Sequence, residues 1–180
     1  MVSKANRTLG FIKRNLYSCS KEIKNLAYKS LVRPRLEYCG SVWDPHTKEL
    51  TQKIEAVQNR SARFVCSDYE RLSSVTSMKE SLDWDLLETR RKATRVTIFH
   101  QSLTGHLAIP LENIVHPVRR SSRHSKFIQF QTSKNCLKYS FIPRTTVDWN
   151  NLPPTITSTP DKKKFKEELL QYYTRKATNN

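Results

Sequence analysis

Three cations on one predicted helix are the first residues that could do chemistry in this sequence. Lys53, Arg60 and Arg63 recur at intervals of seven and three residues, which places them on one face of a helix over about residues 45–66. Cations along one helix face suit the phosphate oxygens of a nucleic-acid backbone. A solvated, charged helix face produces the same pattern, so the stripe alone leaves both interpretations open.

A second group of cations lies later in the chain and comprises Arg119, Arg120, Arg123 and Lys126. No Asp or Glu occurs between Glu112 and Asp148, and seven basic residues fall in that interval. Phosphate contact is the functional interpretation of this group, and a solvated loop is the alternative. The residues themselves favour neither.

Catalytic motifs are missing from the sequence. There is no Asp-Asp pair of the kind that holds the metal ions of a polymerase, and three glycines form no phosphate-binding loop. Five histidines occur in no H-E-x-x-H motif, and four cysteines occur in no C-x-x-C pair. The sequence therefore predicts no catalytic residue, no metal site, no cofactor and no small-molecule substrate.

The net charge indicates the class of partner. The 180 residues include 32 Lys and Arg against 16 Asp and Glu, a formal net charge of +16. Such a balance favours a polyanion, and no apolar run approaches the ~20 residues that span a bilayer. Without a recognisable signal peptide, we expect an intracellular protein, nuclear or cytoplasmic, with no membrane partner.

The hydrophobic pattern predicts a mainly α fold. A first helix over residues 5–17 precedes a second, capped by Ser20, whose predicted buried stripe comprises Ile23, Leu26, Ala27 and Leu31. Pro34 is expected to kink or restart that helix. Asp44-Pro45 predicts the start of the third helix, with the inward residues Leu50, Ile54 and Val57.

The second half of the chain predicts a more varied structure. A longer helix over residues 84–103 ends at Gly105, and two short strands over 127–130 and 139–142 predict a β-hairpin. A short helix is expected to bury Trp149. A last helix over residues 160–173 turns Phe165, Leu169 and Tyr172 inward.

Four segments resemble a known family. AxxxLGFIKRN at residues 5–15, YKSLVRPRLEYCGSVWDP at 28–45 and KIEAVQNRSARFV at 53–65 are similar to the thumb of reverse transcriptases from jockey-like non-LTR retrotransposons. RTTVDWNNLP at residues 144–153 resembles the end of the same reading frames. The similarity is looser over residues 67–140.

This resemblance implies an RNA-directed DNA polymerase family and three regions. They are a thumb-like helical bundle over residues 1–66, a helical connector over 67–105, and a basic C-terminal region with the hairpin and terminal helix over 106–180. In the family, the thumb follows the backbone of the template–primer duplex and packs on the palm. Because the fingers, the palm and its Asp-Asp motif are missing here, we expect a truncated, non-catalytic fragment.

Two functions from different classes are compatible with this sequence. One is binding of an RNA–DNA hybrid or duplex through backbone contacts by Lys53, Arg60, Arg63, Arg119, Arg120, Arg123 and Lys126. The other is a helical protein-interaction module that docks on a separate polymerase palm domain or is reused by the host. The second predicts an exposed apolar patch on the first three helices.

Overall fold

The computed structural model describes residues 1–118 and 126–178, and these are mainly helical, as predicted. The helices before residue 70 are α1 (Val2–Asn15), α2 (Lys21–Ala27), α3 (Arg33–Glu37), α4 (Gly40–Trp43) and α5 (Lys48–Cys66). Those that follow are α6 (Val75–Ser81), α7 (Leu87–Leu103), α8 (Asn135–Lys138), α9 (Phe141–Asn150), α10 (Pro154–Thr157) and α11 (Lys162–Thr178).

The chain folds into two compact units. The first comprises Met1–Gly40 and Pro45–Arg90. The second combines Ser41–Asp44 with the described residues from Arg91 onward. Four residues of the second unit are thus supplied by a segment whose sequence neighbours belong to the first.

In the first unit, α1 and α5 supply much of the core. Ala5, Leu9 and Ile12 form the buried stripe of α1, at the spacing expected of one helix face. The buried face of α5 includes Ile54 and Val57, as predicted. Leu50 was also predicted to be buried, and this is wrong, because its side chain is exposed one turn from the start of α5.

The path from α2 to α3 passes through a π-helical turn, Tyr28–Val32. It ends two residues before Pro34, which has no N–H to donate to the carbonyl of Ser30. The proline therefore does not break the helix, because the wider turn accommodates the lost hydrogen bond. Arg33 continues the chain by donating its backbone N–H to the Tyr28 carbonyl.

The buried stripe predicted for this segment was wrong. Ile23, Leu26 and Leu31 are exposed and Ala27 is half-buried, whereas Lys24, Tyr28, Val32 and Leu36 are buried. A constant spacing of four residues drifts around an ordinary helix of 3.6 residues per turn. The π-helical turn contains more residues per turn than an α-helix, so these four side chains stay on one face of the segment. Tyr28 stacks on Trp84 with ring centroids 4.0 Å apart and donates to Gln58 Oε1 at 2.8 Å.

The third predicted helix begins later than expected. Helix α5 starts at Lys48 with Thr47 in the N-cap position, not at Pro45 with Asp44 as the cap. Asp44 instead belongs to the second unit, where its carboxylate accepts hydrogen bonds from the buried guanidinium groups of Arg91 and Arg95. Its carboxylate compensates two guanidinium charges there, which outweighs the modest stabilisation of a helix cap.

An ion cluster in the second unit surrounds this carboxylate, and we call it the Asp44 ion cluster. Arg91 Nε donates to Asp44 at 2.9 Å, Arg144 Nη1 lies 3.1 Å from it, and Arg95 bridges Asp44 and Asp148. Lys92 completes the cluster, 3.0 Å from Asp148. Arg91 and Arg95 are almost fully buried, so removing one carboxylate strands a charge in a medium of low polarity.

The second unit has a separate core of aromatic and aliphatic side chains from α7, α9 and α11. Phe99, Trp149, Phe165 and Leu169 are buried there, as predicted for the last three. Tyr172 was predicted to point inward, but it is only half-buried and Tyr173 occupies the buried position. This core includes a polar member, His100, whose ring stacks on Phe165 with centroids 3.9 Å apart.

The predicted β-hairpin is wrong within the described residues. Residues 127–130 form no strand, and residues 139–142 lead into helix α9, which begins at Phe141. Among the residues that the structure describes there, the pairing near the expected hairpin is an isolated antiparallel bridge between Pro117 and Phe127. The Asn150 side chain meets the backbone N–H and carbonyl of Phe127 at 2.9 and 2.7 Å. A side chain therefore takes the place of a partner strand.

Candidate nucleic-acid interface

The three cations of the predicted basic stripe have different environments. Lys53 is exposed and pairs with Glu49 one turn earlier, with Nζ 2.6 Å from Oε1. Arg60 is exposed, and its Nη2 donates to the neutral Asn6 Oδ1 at 2.8 Å. Arg63 is half-buried and donates to the carbonyls of Glu70 and Ser73. Of the three, Arg60 presents a charge that, among the described residues, is neither paired with a carboxylate nor used to hold a loop.

The second predicted group falls mostly on residues that lie outside the described part of the chain: Arg119, Arg120 and Arg123. Lys126 is described and exposed, and its carbonyl accepts from the backbone N–H of Val118 at 2.9 Å. This group therefore stays a sequence prediction.

The structure gathers cations and aromatic rings at another place in the first unit. We call Lys13, Lys24, Tyr17, Phe64 and Tyr69 the aromatic–lysine cluster. Lys13 Nζ lies 6.0 Å from the Phe64 ring centroid and 5.7 Å from that of Tyr69. Lys24 Nζ lies 5.3 Å from the same Phe64 centroid and 6.0 Å from that of Tyr17. These are distances at which an ammonium is attracted to the face of a ring.

Lys24 enters this cluster from the interior. Its side chain is only 6 % exposed, and Nζ donates to Ser67 Oγ at 2.8 Å. Lysine is rarely buried so completely without a carboxylate. The Ser67 hydroxyl and two ring faces compensate the positive charge of Lys24 only in part, so the electrostatic potential around its ammonium group stays positive.

Like charges reinforce each other beside the cluster. Burial and the neighbouring Arg60 guanidinium both lower the pKa of Lys13 below the usual 10.5. In the described part of the chain, none of Lys13, Lys24 and Arg60 forms an ion pair with Asp or Glu. Among the described residues, Lys13 and Arg60 are thus neighbouring cations without an ion-paired carboxylate, and Lys24 shares the Phe64 ring with Lys13. An external anion stabilises such an arrangement.

The loop after α5 is fixed at several points, and it carries Tyr69. Ser67 adopts a left-handed conformation with φ of 53° and closes the helix. Asp68 Oδ1 accepts from the backbone N–H of Glu70 at 3.0 Å, and Arg63 Nη1 donates to the Glu70 carbonyl at 2.8 Å. These bonds place Tyr69 before any ligand arrives, so binding there costs little ordering entropy.

The described residues contain no cluster of His, Cys, Asp and Glu that could hold a metal ion. All four cysteines carry free thiols, with no disulfide among them. No helix in the described ranges is long and apolar enough to cross a membrane.

Sequence reasoning missed most of this site. Lys13 and Lys24 lie in helices that are predicted from their apolar residues, whereas Tyr17 lies in the turn after α1 and Tyr69 in the loop after α5. The available signal was Lys24 itself, which precedes buried Tyr28, Val32 and Leu36 at a spacing of four. A hydrophobicity pattern never selects a lysine as the first member of a buried stripe.

Compared with models of protein families, with curated proteins and with solved structures, the chain gives no match. Fold and site geometry therefore have to carry the functional argument.

Proposed function

We propose that this chain is a non-catalytic, nucleic-acid-binding fragment that grips the phosphate backbone of an RNA–DNA hybrid or duplex. The observation that carries the proposal is the pair of neighbouring cations Lys13 and Arg60, with Lys24 across the Phe64 ring from them, for which the described residues supply no ion-paired carboxylate. Phosphates supply the missing negative charge and recur along a backbone regardless of base sequence. The resemblance to retrotransposon reverse transcriptases leads to the same proposal through the thumb.

The surface that we propose for binding the phosphate backbone differs from the predicted basic stripe of Lys53, Arg60 and Arg63. Arg60 belongs to both, whereas Lys53 is paired with Glu49 and Arg63 holds the loop after α5. Arg60, Lys13 and Lys24 are therefore the cations to vary first.

The test is salt-dependent binding to a labelled RNA–DNA hybrid, measured by fluorescence anisotropy. The logarithm of the affinity should fall linearly with the logarithm of the salt concentration, by about 0.9 for each phosphate contact. Replacing Lys13 and Arg60 together by Gln should reduce the slope by about 2. Replacing exposed Lys48 and Lys163 by Gln removes the same charge and should leave the slope nearly unchanged.

Three outcomes contradict the proposal: no binding at low salt, binding that is insensitive to salt, or equal loss in the two double variants. The first two exclude backbone recognition. The third leaves only a general attraction of a basic chain for a polyanion.

A second candidate, a helical protein-interaction module, is supported by a different observation. Exposed apolar side chains on the first helices include Phe11, Ile23, Leu26, Leu31 and Tyr38. Leu31, Pro34 and Tyr38 also line a groove of about 560 Å³, with Lys4 and Arg35 among its other lining residues. A polymerase palm domain, as the resemblance implies, or a host protein would cover such a surface.

Sedimentation of the purified chain tests this candidate. Self-association that disappears when Leu31 and Tyr38 are both replaced by Ser would favour an apolar docking surface. A monomer that stays soluble at high concentration would count against it.

A further inference from the structure

Two tyrosines of the aromatic–lysine cluster project into solvent. Tyr17 is 75 % exposed in the turn after α1, and Tyr69 is 57 % exposed in the loop after α5. Phe64, the third ring, is buried and belongs to the core. The cluster therefore has an inner ring that supports the fold and two outer rings with free surface.

Each exposed ring is accompanied by an ammonium group. Lys24 lies 6.0 Å from the Tyr17 centroid, and Lys13 lies 5.7 Å from the Tyr69 centroid. Each ammonium lies over one face of its ring, so a base can stack only on the opposite face. Lys24 is buried and contributes its positive potential alone, whereas half-buried Lys13 can also reach a phosphate.

The Phe64 ring connects the two tyrosines. Lys24 Nζ lies 5.3 Å from the Phe64 centroid and Lys13 Nζ lies 6.0 Å from it, and these lysines also lie over Tyr17 and Tyr69, respectively. Burial raises the pKa of Tyr69, and the Tyr17 phenol adds to that shift. Tyr69 is held in place because hydrogen bonds fix its loop on both sides. Tyr17 follows α1 in a turn closed by the bond from the Cys19 N–H to the Leu16 carbonyl, at 3.2 Å. Two rings on short, closed turns offer a prearranged surface.

From this geometry we infer that Tyr17 and Tyr69 stack unpaired bases, so that the site takes a single-stranded segment of nucleic acid. The inference rests on the proposed function for its phosphate contacts, and it adds that the bases between those phosphates contact the tyrosine rings. Bases inside a duplex are already stacked on one another and cannot cover the rings. A single strand, or the unpaired end of a hybrid, presents them freely.

The experiment compares two single strands of about 12 nucleotides, one of oligothymidine and one with the same backbone and no bases. The wild-type chain should bind oligothymidine about 5-fold to 150-fold more tightly for each stacked base. Replacing Tyr17 and Tyr69 together by Leu should bring the ratio close to 1 while the salt dependence stays unchanged. Replacing both by Phe should preserve the ratio.

Two further variants make the comparison specific. Tyr38→Leu alters another exposed tyrosine of the same unit and should leave the ratio intact. The double variant Lys13→Gln/Arg60→Gln should reduce the salt dependence of both strands and retain the preference for bases.

The outcomes separate this inference from the proposed function. If the wild-type chain binds the abasic strand as tightly as oligothymidine, stacking is overturned and backbone binding stands. If the preference for bases survives in the Leu double variant, the tyrosines are not the platform and the inference is again overturned. If neither strand binds while the hybrid does, the inference fails alone. If nothing binds, both fail.

Discussion

Lys24 carries a positive charge into the interior of the first unit, and this has a cost in stability. Desolvation of a lysine is compensated there only by Ser67 Oγ and two ring faces. A protein is often less stable with a polar residue that serves binding than with an apolar residue at the same position. The stability and the affinity of this protein should therefore respond to Lys24 in opposite directions.

The variant Lys24→Met tests this trade-off. Met fills a similar volume without a charge, so the free energy of unfolding should rise by about 1 kcal/mol, while affinity for the RNA–DNA hybrid falls. Urea unfolding followed by circular dichroism measures the first quantity and anisotropy the second. Lys21→Met, at an exposed position of the same helix, should change stability by no more than about 0.5 kcal/mol. A destabilised Lys24→Met would show that the bond to Ser67 outweighs the desolvation.

Among the elements, α7 supplies a titratable group to the core of the second unit. His100 Nε2 lies 2.8 Å from the Thr159 carbonyl, which can only accept, so this nitrogen carries the proton. The other ring nitrogen, Nδ1, is buried and has no hydrogen-bond partner among the described residues. A second proton there would have no acceptor, and burial accordingly lowers the pKa of His100.

This lowered pKa predicts acid sensitivity. In the unfolded chain His100 takes up a proton near its usual pKa of 6.5, whereas in the folded chain it resists protonation to lower pH. Below pH 6.5 the unfolded state therefore binds more protons, and stability falls as the pH decreases. Thermal unfolding between pH 7.5 and 5 should show a smaller decrease in the variant His100→Gln than in the wild-type chain. His116→Gln, at an exposed position, should behave like wild type.

The elements also show how far the sequence could be interpreted. Helices α1, α5 and α11 follow ordinary apolar periodicity, and their buried residues Leu9, Ile54 and Phe165 were identifiable from spacing. The buried face of α2 was not identifiable from spacing, because a π-helical turn changes the number of residues per turn and a lysine replaces the expected apolar residue. Most of the site was missed for a different reason: Lys13, Lys24 and Arg60 come from three separate helices, and only contacts between these helices show which cations share a surface.

At the scale of the whole molecule, the loss of the Asp44 carboxylate should be strongly destabilising. This carboxylate meets Arg91, Arg95 and Arg144, and the first two are almost fully buried. Asp44→Asn leaves those charges without their principal counter-charge and should lower the free energy of unfolding by about 3–5 kcal/mol. Chemical unfolding followed by tryptophan fluorescence would measure this, since Trp149 lies in the core of the second unit.

A matched control is available at the surface. Glu49→Gln also removes one carboxylate, but from the exposed pair with Lys53, and should leave the free energy of unfolding nearly unchanged because solvent screens that pair. Equal effects of the two variants would contradict a structural role for the Asp44 ion cluster.

The division of the second unit along the chain has a consequence for synthesis on the ribosome. The hydrogen bond from Arg144 Nη1 to the Asp44 carbonyl joins residues 100 positions apart. At elongation rates of about 5–20 residues per second, Asp44 is made roughly 5–20 s before Arg144. Arg91 and Arg95 follow Asp44 by 47 and 51 residues, so they are made about halfway through that interval. The Asp44 ion cluster can therefore form in part before Arg144 exists, and it becomes complete only after α9 has been synthesised.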